Sequence, residues 1–114
     1  MTIYGMSQSS GVERRLRVEL GGEGVVLTIT NHDGNVEQGR IMLQPDGLLM
    51  SITNPSPGGC TIEGIRPPHG VKMLLDVEVR RNEVLLRARK ESEQGCDVAI
   101  GLDDFQDALE KVIG

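Results

Sequence analysis

Seven side chains are this sequence's candidates for gripping a single-stranded nucleic acid: Tyr4, Arg15, Arg17, Arg66, Lys72, Arg87 and Arg89. A guanidinium or ammonium neutralises a phosphate, and a flat ring stacks on a nucleobase. Arg15 and Arg17 stand two residues apart, as do Arg87 and Arg89. That spacing puts both members of a pair on one face of a β-strand. The competing reading is a set of ordinary ion pairs. Glu13 and Glu19 flank Arg15 and Arg17, and Asp76 and Glu78 can lie across a hairpin from Arg87 and Arg89. Each such pair is worth about 0.2–1 kcal/mol.

Other chemistry finds little support. His32-Asp33-Gly34-Asn35 reads as an exposed turn, because Asp, Gly and Asn are turn formers. His69, in a Pro-Pro-His-Gly loop, has only Cys60 as a sequence-near co-ligand. A structural zinc site needs four ligands. Cys60 and Cys96 lack Cys-x-x-Cys spacing and read as small hydrophobes or free thiols. No Ser or Cys nucleophile has a base at a recognisable spacing, and no Gly-rich loop opens a helix. The expectation is a protein that is not an enzyme and has neither metal nor cofactor.

The elements that must position the seven side chains are set by an internal repeat. Residues 2–20 align with residues 61–79 without a gap, and 8 of the 19 positions are identical: Thr2/Thr61, Ile3/Ile62, Gly5/Gly64, Gly11/Gly70, Val12/Val71, Leu16/Leu75, Val18/Val77 and Glu19/Glu78. Val25 and Leu27 match Val84 and Leu86 at the same offset. Glu37-Gln38-Gly39 echoes Glu93-Gln94-Gly95. Beyond a two-residue shortening, Ile41, Leu43, Asp46, Leu48 and Ile52 match Val98, Ile100, Asp103, Phe105 and Leu109. In this alignment Tyr4 stands where the other copy has Glu63, so no shared core demands the ring.

Each copy reads as four strands and a helix. A short strand carries Thr-Ile-x-Gly, and its repeated Gly5 and Gly64 predict a bulge or a close backbone approach. A long strand follows, with inward Leu16, Val18 and Leu20, or Val71, Met73, Leu75, Val77 and Val79. Hairpins at Gly21–Gly24 and Arg80–Glu83 lead to a third strand, with inward Val25, Leu27 and Ile29, or Val84, Leu86 and Ala88. A fourth strand spans Arg40–Leu43 or Asp97–Leu102. Asp103 then reads as the cap of a helix whose stripe is Phe105, Ala108, Leu109, Val112 and Ile113. Residues 46–53 read locally as a turn and strand. The repeat overrides this and predicts one to two helical turns, ended at Asn54-Pro55.

The expected fold class is α+β and mostly β: two tandem β4α repeats, whose two antiparallel four-stranded sheets pack as a pseudo-dimer with a helix after each. One domain spans 1–114, with repeat 1 at 1–54, a linker at 55–59 and repeat 2 at 60–114. At about 57 residues each copy alone would be marginal. One Tyr, one Phe and no Trp make the core aliphatic. The net charge of −5 sits mostly on residues 97–114, leaving the sheets near neutral. No membrane-length apolar run and no apolar leader are visible, so a cytoplasmic protein is expected.

The order of elements resembles the Whirly family and its relatives among the single-stranded-DNA-binding transcriptional coactivators. The likeness is densest over residues 59–114: Gly59-Cys60-Thr61-Ile62 as a first strand, Val71–Val79 and Val84–Arg89 as the long hairpin, and Val98-x-Ile100-x-x-Asp103-x-Phe105-x-x-x-Leu109 as the strand-to-helix passage. The resemblance implies a β4α–β4α body and a transcription-related role, with single-stranded DNA or RNA bound across outward sheet faces. The alternative expectation is a homo-oligomer or protein-interaction domain with no nucleic-acid binding. Acidic balance, scarce rings and outward Leu74 and Leu85 favour that alternative.

Overall fold

The computed structural model describes residues Met1–Gly114. The chain forms strands β1 (Thr2–Met6), β2 (Glu13–Leu20), β3 (Val25–Asn31) and β4 (Glu37–Leu43), helix α1 (Pro45–Thr53), strands β5 (Cys60–Arg66), β6 (Val71–Arg80), β7 (Glu83–Arg89) and β8 (Cys96–Gly101), and helix α2 (Leu102–Ile113). The eight strands are antiparallel neighbours in sequence order and close into one barrel, β8 returning to β1.

The closure corrects the expected architecture. There are not two separate four-stranded sheets packed face to face. The outer edges of the two β4 units meet and pair at two seams, β1–β8 and β4–β5. Each seam has a single register pair, Met6 with Ala99 and Met42 with Ile65. The repeat exchanges these two pairs with each other. The physical reason is that an open edge leaves backbone N–H and C=O groups unpaired, and closure removes the edge. The repeated glycines make closure possible. A Cβ on Gly5 would stand 2.2 Å from the Ala99 carbonyl oxygen, and one on Gly64 would stand 2.5 Å from that of Met42. The close approach predicted at both glycines is therefore the seam itself.

One core of 22 buried residues fills the barrel, with side chains from seven strands and both helices, and β5 packs its partly buried Cys60 and Ile62 against it. Leu16, Val18, Leu27, Ile29, Leu75, Val77, Val84 and Leu86 point inward as their alternation requires. Leu20 and Val71 do not. They lie at strand ends and are 67% and 43% exposed. Another correction concerns the Glu-Gln-Gly echo. Gly39 pairs with Ile29 and Cys96 with Ala88, so Gly39's structural counterpart is Cys96, not Gly95. The two counterparts face each other inside the barrel, where a Cβ on Gly39 would come within 2.4 Å of Cys96 Sγ.

Residues 46–53 are helical, as the repeat requires and against their local propensity. Leu48 and Ile52 are buried there, as Phe105 and Leu109 are in α2. Each helix leans on the first two strands of the opposite half: α1 on β5 and β6, α2 on β1 and β2. The helices also touch each other, so they do not plug separate ends. Asp103 is not the cap of α2. Gly101 holds that place without a side-chain bond, and Asp103 falls within the first turn, where a negative charge still complements the helix dipole. Neither helix is long and apolar enough to cross a membrane.

Candidate nucleic-acid interface

The alternation that turns Leu16, Val18, Leu27 and Ile29 inward turns Arg15, Arg17, Thr28 and Thr30 outward. The registers then order the outer face of the first half. Tyr4 on β1 lies beside Arg15 on β2, which lies beside Thr30 on β3. One step along, Arg17 lies beside Thr28, which lies beside Arg40 on β4.

Tyr4 is 69% exposed, and the Arg15 guanidinium carbon sits 4.9 Å from its ring centroid. That is cation–π distance. The turn at Gly34 backs Arg15 from the other side: a Cβ there would lie 3.0 Å from Arg15 Nη1. The β3–β4 turn thus presses a half-buried arginine onto an exposed ring. A hollow of about 390 Å³ opens beside it, lined by Tyr4, Gly5, Met6, Glu13, Arg14 and His32.

Thr28 is fully buried although it faces outward, and its hydroxyl has no hydrogen-bond partner. The Nε atoms of Arg15, Arg17 and Arg40 are likewise buried and unpartnered. Glu19 comes within 3.1 Å of Arg17 Nε, but off the line a hydrogen bond needs. Arg40 reaches Glu37 at 2.7 Å through Nη2.

The other candidates are scattered and mostly paired. Arg66 donates to the same Glu37 at 2.6 Å, near the β4–β5 seam. Lys72 pairs with Glu63 at 3.2 Å. Arg89 holds Asp76 through two bonds, at 2.7 and 3.1 Å, and Thr61 adds a third to the same carboxylate at 2.7 Å. Arg87 gives one bond to the Gln94 carbonyl at 3.2 Å and touches no carboxylate. The seven candidates therefore do not form one cationic track. Tyr4, Arg15 and Arg17 share the first half's face, and Arg87 and Arg89 lie on the second half's. Leu74 and Leu85, expected exposed, are half-buried.

The second half's face carries a larger cleft of about 470 Å³, lined by Thr61, Asp76, Glu78, Arg80, Arg87 and Asp97 among others. Its acids are already satisfied. Asp76 is held below the usual carboxylate range chiefly by Arg89. Glu78 binds Arg80. Asp97, at Arg40's counterpart position, accepts from the Ser7 and Ser9 hydroxyls at 2.8 and 2.6 Å and from the Gln8 and Ser9 amides at 2.8 and 3.2 Å. Arg14 adds a contact at 3.4 Å. Burial alone would raise the Asp97 carboxyl, but these bonds outweigh it and hold it below its ordinary value. This is an anchor fastening the β1–β2 loop to β8.

Sequence reading missed Thr28, Arg40 and Asp97. Thr28 and Thr30 alternate with Leu27 and Ile29, which marks an outward polar row on a buried strand. The Ile41/Val98 alignment, extended back by one residue, sets Arg40 against Asp97. No cluster of three or more His, Cys, Asp or Glu side chains is placed to hold a metal ion. No protein-family model matches this chain, and no curated protein matches it.

Proposed function

We propose that the protein is a non-enzymatic binding module that takes single-stranded nucleic acid on the outward face of β1–β4. The observation that carries this reading is the exposed Tyr4 ring with Arg15 held against it. A base stacks on such a ring, and the neighbouring guanidiniums meet the phosphates. The residues assigned are Tyr4, Arg15 and Arg17. Arg66, Lys72, Arg87 and Arg89 lie on strands of the other half and leave the assignment. The Whirly resemblance adds support from the order of elements alone. The test is fluorescence anisotropy of a labelled oligothymidylate at low salt. Binding in the micromolar range is expected, and Tyr4→Ala should weaken it by about 1–3 kcal/mol, the usual worth of one stacked base. No binding at tens of micromolar protein, or binding indifferent to Tyr4→Ala, would remove the proposal.

A second reading, a protein-interaction or self-assembling domain, rests on a different observation. Two positions stay apolar and exposed in both copies: Met6 and Val12 in one, Ile65 and Val71 in the other. A monomer at high concentration by light scattering would count against self-assembly.

A further inference from the structure

We infer that the outer face of β2–β3–β4 holds a seat for a phosphate group, built from Thr28, Arg17 and Arg40. The inference deepens the nucleic-acid reading and rests on it for the source of the phosphate, a phosphodiester of the bound strand. Thr28 occupies the middle strand, between Arg17 on one side and Arg40 on the other. Its hydroxyl is buried and without a partner, and the buried Nε atoms of both arginines make no hydrogen bond, although Glu19 lies 3.1 Å from that of Arg17. Buried polar groups in folded proteins are nearly always paired, so a cluster of unpaired donors on one face asks for an acceptor. A tetrahedral oxyanion supplies several acceptor atoms at once, and a guanidinium meets it with two parallel N–H donors. Glu19 and Glu37 touch the cluster, but Arg15, Arg17 and Arg40 outnumber them, and Glu37 also serves Arg66.

The register neighbours of Thr28 on the outer face are two long side chains, Arg17 and Arg40. Side chains of that kind change rotamer within picoseconds to nanoseconds when exposed, so a phosphate need only lift the arginine heads from Thr28. The neighbouring row carries Arg15 and Tyr4. A strand with a base on Tyr4 would thus place a backbone phosphate across β2–β4. The equivalent positions in the other half carry Asp76, bound by Arg89, Asp97, bound by the β1–β2 loop, and Arg87, which donates to the Gln94 carbonyl, so the seat is not duplicated.

The test uses the full chain, with Thr28→Val and Arg40→Gln beside the parent and Tyr4→Ala as the control for stacking. The probes are labelled oligothymidylate and inorganic phosphate. If the seat exists, both variants bind the oligonucleotide more weakly, and Arg40→Gln lowers the slope of log affinity against log salt by about 0.7, the share of one phosphate contact on a single strand. Thr28→Val should keep or raise the melting temperature, because the hydroxyl it removes has no partner. Millimolar phosphate should raise the melting temperature of the parent but not of Thr28→Val. If Tyr4→Ala loses the oligonucleotide while Thr28→Val and Arg40→Gln bind as the parent does, the seat is wrong and the stacking reading stands. If the parent binds no oligonucleotide yet phosphate stabilises it through Thr28, the seat stands for free phosphate and the nucleic-acid reading falls. A lowered melting temperature for Thr28→Val, with an unchanged salt slope for Arg40→Gln, would show a purely structural hydroxyl and overturn the seat.

Discussion

On the outer face of the first half, Arg17 and Arg40 stand on β2 and β4 with Thr28 between them on β3. At the same places in the second half, Asp76 and Asp97 stand on β6 and β8 with Arg87 between them on β7. The neighbouring row repeats the contrast: Arg15 beside Thr30 answers to Leu74 beside Arg89. One interior plan thus carries two opposite exteriors. Acids flanking arginines satisfy themselves, as the Asp76–Arg89 pair does. Arg17 and Arg40 turn instead to Glu19 and Glu37, and the Thr28 hydroxyl between them, which could donate or accept, is left without a partner. The difference teaches that the core fixes only the inward half of each strand and leaves the outward half free to diverge. It also shows which face still has donors to offer.

The sharpest way to break this comparison is at the Asp97/Arg40 position. Asp97 is buried and gathers five donors from Ser7, Gln8, Ser9 and Arg14, whereas Arg40 lies half-buried against Glu37. Asp97→Ala should cost about 3–5 kcal/mol, the usual penalty for orphaning a buried partner. Arg40→Ala should cost less than about 1 kcal/mol, as for exposed pairs. Equal losses in urea melts would mean that the two corners are not built differently after all. A smaller effect probes what the halves share. Gly5→Ala and Gly64→Ala each push a Cβ into a carbonyl across a seam, and each should destabilise by about 1–3 kcal/mol. If only one glycine proved sensitive, the seams would not be equivalent.

The smallest effect is in the acid limb of the pH profile. Asp76 and Asp97, both on the second half, have folded-state carboxyls below their ordinary value. Their contribution is complete above the unfolded value of about 3.9 and is lost as pH falls through the lower folded one. The double variant Asp76→Asn with Asp97→Asn should therefore lose less stability than the parent between roughly pH 5 and pH 2. An unchanged slope over that range would remove these two acids as the source.

The repeat made much of this fold legible. It placed the four strands of each copy, overrode local propensity at Leu48–Thr53 and singled out Gly5 and Gly64. It could not show that the sheets close on each other, because closure is decided by pairing across two seams of one register pair each. So short a contact leaves no periodicity in the sequence. The site was legible only in part. Arg15 and Arg17 read as outward and Tyr4 as a ring that the shared core does not demand, and the β1–β2 register brings Tyr4 beside Arg15. The pairing of Arg89 with Asp76 was legible across the hairpin, but nothing in the spacing of Arg66 and Lys72 says that Glu37 and Glu63 claim them, since those contacts cross between strands. The buried hydroxyl of Thr28 was invisible for a related reason: outward alternation normally means exposure, yet Thr28 is fully buried between Arg17 and Arg40.

The meeting of Gly39 and Cys96 inside the barrel has a consequence for what kind of molecule this can be. They are the same position of the two copies, brought face to face across the internal near-symmetry. In an assembly of two identical half-chains that position would hold the same residue twice. Two glycines would leave a gap, and two cysteines would compete for one space. Because both halves share one polypeptide, one side can furnish the sulfur and the other can make room for it. Covalent linkage is thus what permits a lopsided solution at the very place where symmetry would otherwise forbid one.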